Sequence, residues 1–229
     1  MRVPLALAVG LVGWSLVGNL LIGDTLYVTR NVVLTALLLL LARRAGVTWS
    51  TIGLAGEDLR AGLRWGGAAI VVVAVVVAVG TAVADQVGGV AALLGDERAN
   101  LPDREVAWHA LWRIPVGTAL FEEVAFRGVL LALFLQVLTP GWAVGAASAV
   151  FGLWHVAPTM VTLGVNDVPT ASAEGFATIA GAVAITAVAG VLFSLLRLGS
   201  GSLVAPILAH WATNSIGLLA ASLTQRGGP

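Results

Sequence analysis

Seven apolar runs, each near the length that crosses a bilayer, limit this chain to very few forms. They lie at about 3–22, 26–42, 65–84, 111–138, 142–158, 175–196 and 202–222. The hydrocarbon core of a bilayer is about 30 Å thick, and a helix needs ~20 apolar residues to cross it. Backbone N–H and C=O groups in that medium must be satisfied within the protein, so each run is predicted to be a helix. The expected fold is an all-α, polytopic transmembrane bundle of about seven spans (seven or eight), enclosing a polar intramembrane cavity.

Composition agrees with this. Of the 229 residues, 59% are apolar and only 10% charged, against about 25% charged in a soluble domain. The net charge is zero, which argues against nucleic acid as a partner. The absence of Cys excludes disulfides, thiolate metal sites and cysteine nucleophiles. All 12 basic residues are Arg, which we read as coding bias rather than mechanism. The first run follows a lone Arg2, is longer than a signal-peptide core, and "GNLLIGD" offers no small-residue cleavage site, so it reads as a retained span. The piece 104–113, "REVAWHALWR", is too polar to span and has two Trp, and reads as an interfacial lead-in. No repeat and no soluble domain is visible, so residues 1–229 read as one membrane domain.

Arg43, Arg44, Arg60 and Arg64 follow the second span. Under the positive-inside rule that loop is cytoplasmic, and the N-terminus with it. Loop 85–105 holds Asp85, Asp96, Glu97, Asp103 and Glu105 against Arg98 and Arg104, and falls outside. Arg197 is then inside, as the rule asks, and Arg226 outside, against it. The protein is expected in the plasma membrane of a bacterial cell.

Against this background "ALFEEVAFRGVLL", residues 119–131, stands out. Each charge at a bilayer centre costs roughly 2.5–3.5 kcal/mol, so Glu122, Glu123 and Arg127 together cost about 7–10. Glu123 and Arg127 are four apart and share a helix face, so they can pair. Glu122 points about 100° away and has no such partner, which suits a general base or acid. Two further apolar helices carry polar side chains at the same spacing. "FGLWHVAP" aligns Phe151 with His155 and has Pro158 as its predicted helix end; "HWATN" aligns His210 with Asn214. Each piece has a plainer reading: Glu123–Arg127 as a clamp, the histidines as hydrogen-bonded helix contacts, Asn214 as helix–helix glue, Phe151 as packing. The third histidine, His109, lies between Trp108 and Trp112 and reads as interfacial.

"EEVAFRG", "FGLWH" and "HWATN", in this order and roughly 30 and 55 residues apart, resemble the signatures of the CPBP intramembrane proteases, the family of type II CAAX prenyl proteases and bacterial Abi proteins. The resemblance covers about residues 111–215. It implies a catalytic core at 106–222 behind N-terminal spans in 1–105. It also implies an endopeptidase acting on membrane-bound or lipidated peptides. Glu122 and His155 would activate a water, and His210 and Asn214 would stabilise the oxyanion. Glu123 and Arg127, with Phe151 in support, would orient the pocket. Such proteases have been described both as metal-dependent and as metal-independent. Glu122, His155 and His210 could hold a zinc ion with a position open to water, although no obligatory metal is expected. A non-catalytic scaffold or immunity-type protein is the main rival. A proton-coupled transporter is disfavoured, because broken-helix repeats in matching halves are missing. One tension remains in depth: with the fifth span ending at Pro158, His155 falls near its outer end while His210 is mid-span.

Because the chain lacks Cys, its orientation can be read by labelling. Arg44→Cys should be modified by a membrane-impermeant maleimide only from the cytoplasmic side, and Arg98→Cys only from outside. The reverse pattern would overturn the assignment.

Overall fold

A computed structural model describes residues 1–86 and 94–227, so part of the acidic loop (87–93) lies outside the described residues. Seven long helices and no strand are found among them. They are α1 (Arg2–Ile22), α2 (Tyr27–Arg44), α3 (Leu59–Ala82), α4 (103–135), α5 (Pro140–Val165), α6 (Ala173–Ser200) and α7 (Val204–Gly227). A short helix, Trp49–Ile52, sits in the connection before α3. Five stretches are long and apolar enough to cross a membrane on those grounds alone, namely Arg2–Ile22, Trp49–Ala82, Pro140–Val165, Ala173–Ser200 and Val204–Arg226. The helices outside that set, α2 and α4, bury Asn31, Thr35, Glu122, Glu123 and Arg127. The protein is an integral membrane helical bundle.

α4 is the pillar of the bundle. Every side chain from Phe121 to Phe134 is buried, the pattern of a helix enclosed on all sides. Its neighbours turn apolar side chains outward instead: Val71, Val72, Val75, Val76 and Val79 of α3 are exposed, as a lipid-facing surface requires. The segment 104–113 forms the first turns of α4, with Trp108 and Trp112 exposed. Two π-helical stretches, His109–Ala119 and Val124–Leu130, flank the α-helical turn Leu120–Glu123. Such widened turns are frequent at functional sites.

Two prolines explain how helices join. Pro115 lies inside the first π-helical stretch and has no N–H to offer the carbonyl five residues earlier. That carbonyl, on Ala110, accepts from Trp211 Nε1 (2.7 Å) and Ser215 Oγ (2.9 Å) of α7. Pro158 likewise cannot serve the carbonyl of Trp154, which accepts from Ser15 Oγ of α1 at 2.6 Å. Pro158 therefore does not end the fifth span. α5 breaks at His155 (φ −81°, ψ −2°) and resumes as Val156–Val165, with Pro158 in the first turn of the new segment, where a missing N–H costs nothing. His155 thus lies inside a 26-residue helix, and the depth tension was an error in the assumed span limit.

Close approach fixes the remaining contacts. A Cβ on Gly152 of α5 would lie 2.6 Å from the carbonyl oxygen of Val183 on α6, so only glycine lets those backbones meet. At one end of the bundle Arg197 donates to the carbonyls of Ser50, Thr51 and Ile52 and caps the short helix. At the opposite end Arg226 pairs with Asp103 and donates to the Leu101 carbonyl. The Arg226 charge is thereby neutralised locally.

Candidate active site

Glu123, Arg127 and His210 form one buried knot between α4 and α7. Arg127 Nη1 donates to Glu123 Oε1 at 2.9 Å, one turn along the helix. His210 Nδ1 lies 2.7 Å from the same oxygen. Glu123 is fully buried, and Arg127 and His210 nearly so. A carboxylate can only accept here, so Nδ1 of His210 carries the proton and Nε2 is left to face the site. Aromatic rings close the knot. Phe193 of α6 stacks on His210 at 5.3 Å and 23°. The Arg127 guanidinium lies 3.8 Å from the Phe151 ring centroid and 5.1 Å from that of Phe193, a geometry in which ring faces stabilise the cation.

Glu122 has different company. Its Oε1 accepts from Trp154 Nε1 of α5 at 3.1 Å. Its Oε2 is buried without a hydrogen-bond partner and lies 3.8 Å from His210 Nε2. His155 Nδ1 lies 2.8 Å from the Phe151 carbonyl oxygen, which fixes its tautomer in turn and leaves Nε2 as the free nitrogen. The ring of His155 packs edge-on against Phe151, centroids 4.6 Å apart, and Phe151 lies 6.1 Å from His210. His155 and Asn214 are half-buried, less enclosed than Glu122, Glu123, Arg127 and His210. Asn214 is one turn beyond His210 on α7.

The residues singled out from sequence therefore lie on three neighbouring helices around Phe151 and His210. Two contacts between helices could not be read from spacing: His210 Nε2 lies 3.8 Å from Glu122 Oε2, and Glu123 orients His210 besides holding Arg127. His109 lies ten residues before Ala119 on α4, apart from the knot. Trp154 and Phe193 were not anticipated. Trp154 left a trace in the sequence, since an indole N–H buried in an apolar helix needs an acceptor. Phe193 left none, being one apolar residue in an apolar helix. Two surface depressions among the described residues lie away from the expected polar cavity. One, of about 660 Å³, is lined by Gly95, Glu97, Asn100, Val165, Asn166 and Asp167; the other, of about 350 Å³, by Arg64, Trp65 and Ala68.

Among the described residues, no three His, Cys, Asp or Glu side chains are gathered as a metal ion requires. His210 Nδ1 is held by Glu123 and His155 Nδ1 faces a carbonyl, which leaves the Nε2 atom of each ring free.

The model of the type II CAAX prenyl endopeptidase Rce1-like family matches residues 104–216. The chain carries an Rce1-like domain over that segment. The matched segment starts at the head of α4 and ends just past Asn214, so it contains every polar residue of the knot. Helices α1 to α3 lie outside it. Rce1-like proteins are CAAX-type proteases of membranes, and this chain carries that domain. No match is found among curated proteins or among solved structures.

Removing the Glu123 charge tests the knot. Glu123→Gln leaves Arg127 as a buried charge without a counter-charge, which should cost about 3–5 kcal/mol and lower the thermal unfolding temperature in detergent. Glu122→Gln, which leaves the Glu123–Arg127 pair intact, should unfold close to the parent. Equal losses in both variants would contradict the division of labour between the two glutamates.

Proposed function

We propose that this Rce1-like protein is an intramembrane endopeptidase that hydrolyses peptide bonds of membrane-bound or lipidated peptides, with Glu122 as the base. The observation that carries this reading is the contrast between adjacent carboxylates. Each has one buried oxygen without a hydrogen-bond partner, but Glu123 is held by both Arg127 and His210 through its other oxygen, whereas Glu122 has only the Trp154 indole and turns its free oxygen to His210 Nε2. A buried, unpartnered carboxylate oxygen beside an imidazole is a place for the water that attacks.

In this scheme Glu122 Oε2 takes a proton from the water as the oxygen bonds to the scissile carbonyl carbon. The free Nε2 of His155 holds the same water from the less enclosed side. Negative charge then gathers on the carbonyl oxygen, where hydrogen-bond donors act most strongly. In this scheme His210, through Nε2, and Asn214, through its amide N–H, are the donors to that oxygen. Glu122 returns the proton to the leaving amine as the tetrahedral intermediate collapses. Glu123, Arg127 and Phe151 keep His210 and His155 in register and touch no reacting atom.

The reading extends to organisation and place. Residues 106–222 form the catalytic core and 1–105 its supporting spans. The Arg-rich end faces the cytoplasm of a bacterial cell. One observation favours a second reading, a non-catalytic scaffold or immunity-type protein of the same family: Glu122, Glu123, Arg127 and His210 are each at most 5% exposed.

Cleavage of a peptide library, with prenylated, acylated and unmodified members, by detergent-purified protein separates these readings. The parent should cleave lipidated members, and Glu122→Gln should lose at least about a hundredfold while still inserting and purifying. Activity should survive exhaustive chelation; loss on chelation with recovery on added zinc would replace this scheme with a metalloprotease. No cleavage of any member would favour the scaffold.

A further inference from the structure

We infer that Trp154 is a positioning residue for the proposed reaction: its indole N–H fixes which oxygen of Glu122 is free to act. The inference rests on the reading of Glu122 as the base. Trp154 Nε1 donates to Glu122 Oε1 at 3.1 Å. An indole nitrogen donates only and neither accepts nor exchanges a proton in catalysis. It therefore takes one carboxylate oxygen out of play without competing for the water. The other oxygen, Oε2, is left pointing at His210 Nε2, 3.8 Å away.

The ring is itself immobilised. It is 5% exposed and packs on Phe121 at 5.7 Å and on Phe126 at 5.6 Å, both from α4. Its backbone is held from another direction. Trp154 is the last residue before the α5 break, and Pro158 denies its carbonyl the usual helical donor. Ser15 Oγ of α1 supplies that bond at 2.6 Å and is itself buried. The side chain that aims Glu122 is thus anchored by α4 through its ring and by α1 through its carbonyl. Ser15 lies outside the family-matched segment, so the N-terminal spans reach the site through this contact.

The test removes the N–H and leaves the shape. Trp154 is replaced by its benzothiophene isostere, which has sulfur where the indole has N–H, with Trp154→Phe as a genetic counterpart. Cleavage of a farnesylated, internally quenched peptide in micelles is followed, with thermal unfolding alongside. The isostere should keep KM within about twofold and the parent unfolding temperature, while kcat falls at least about tenfold, as expected for a lost hydrogen bond to a charged group. Parent kcat in the isostere would overturn the inference, and so would a loss of kcat matched by a loss of stability. Glu122→Gln separates the two levels. If it still cleaves, the base reading fails and this inference with it. If it is inactive while the isostere turns over normally, the positioning role alone is wrong. The pair is also read without turnover, through the Trp154 indole N–H resonance of ¹⁵N-Trp-labelled protein. That resonance should move in Glu122→Gln, and an unmoved resonance would contradict the contact.

Discussion

The Glu123 carboxylate, shared between Arg127 and His210, is the contact around which this bundle is organised. Three ionisable groups sit at the centre of a structure whose outer surface is Val, Leu and Ile. None would be tolerated there alone, since an unpaired charge in a low-dielectric interior is strongly destabilising. Glu123 Oε1 accepts from both partners at 2.9 and 2.7 Å, which ties α4 to α7. The aromatic faces of Phe151 and Phe193 cover Arg127 and so tie in α5 and α6. Four helices are thereby brought to one point. Glu122, next in sequence and on another face, is left with a single indole donor. The proposed chemistry follows from that inequality between neighbours.

A second theme is the use of carbonyls that proline leaves without donors. Pro115 frees the carbonyl of Ala110 for Trp211 and Ser215, and Pro158 frees that of Trp154 for Ser15. Inside a membrane such groups must find a partner within the protein. Each becomes a specific bond between helices that apolar packing alone would not select. Asn31 of α2 plays a related part, donating to the Gly117 carbonyl at 2.7 Å, while Tyr27 and Thr118 join their hydroxyls at 3.0 Å. These contacts give the N-terminal helices, which lie outside the Rce1-like match, a direct hold on the helix that carries the two glutamates.

Much of this was legible in the sequence. Apolar runs of bilayer length gave the helices, and i,i+4 spacing gave the Glu123–Arg127 pair and the His210–Asn214 face. Charge alone marked Glu122 as different, because an isolated carboxylate in an apolar helix cannot be a packing residue. Other features were hidden for physical reasons. Pro158 reads as a helix end from local rules, yet at the start of a resumed segment it is compatible with helix, and only the break at His155 makes that possible. The partner of His210 could not be read, since spacing within one helix says nothing about rotation against another. Phe193 has no local mark at all; its stacking on His210 exists only once α6 and α7 are packed.

The central claim is that a water held by Glu122, and not the carboxylate itself, attacks the peptide bond. A single turnover with excess enzyme in H₂¹⁸O, analysed by mass spectrometry of both product and protein, tests it directly. General-base catalysis places one ¹⁸O in the new carboxyl terminus of the product and none in the enzyme. An unlabelled product together with ¹⁸O in the peptide containing Glu122 would mean that Glu122 had bonded to the substrate carbonyl, and would contradict the account.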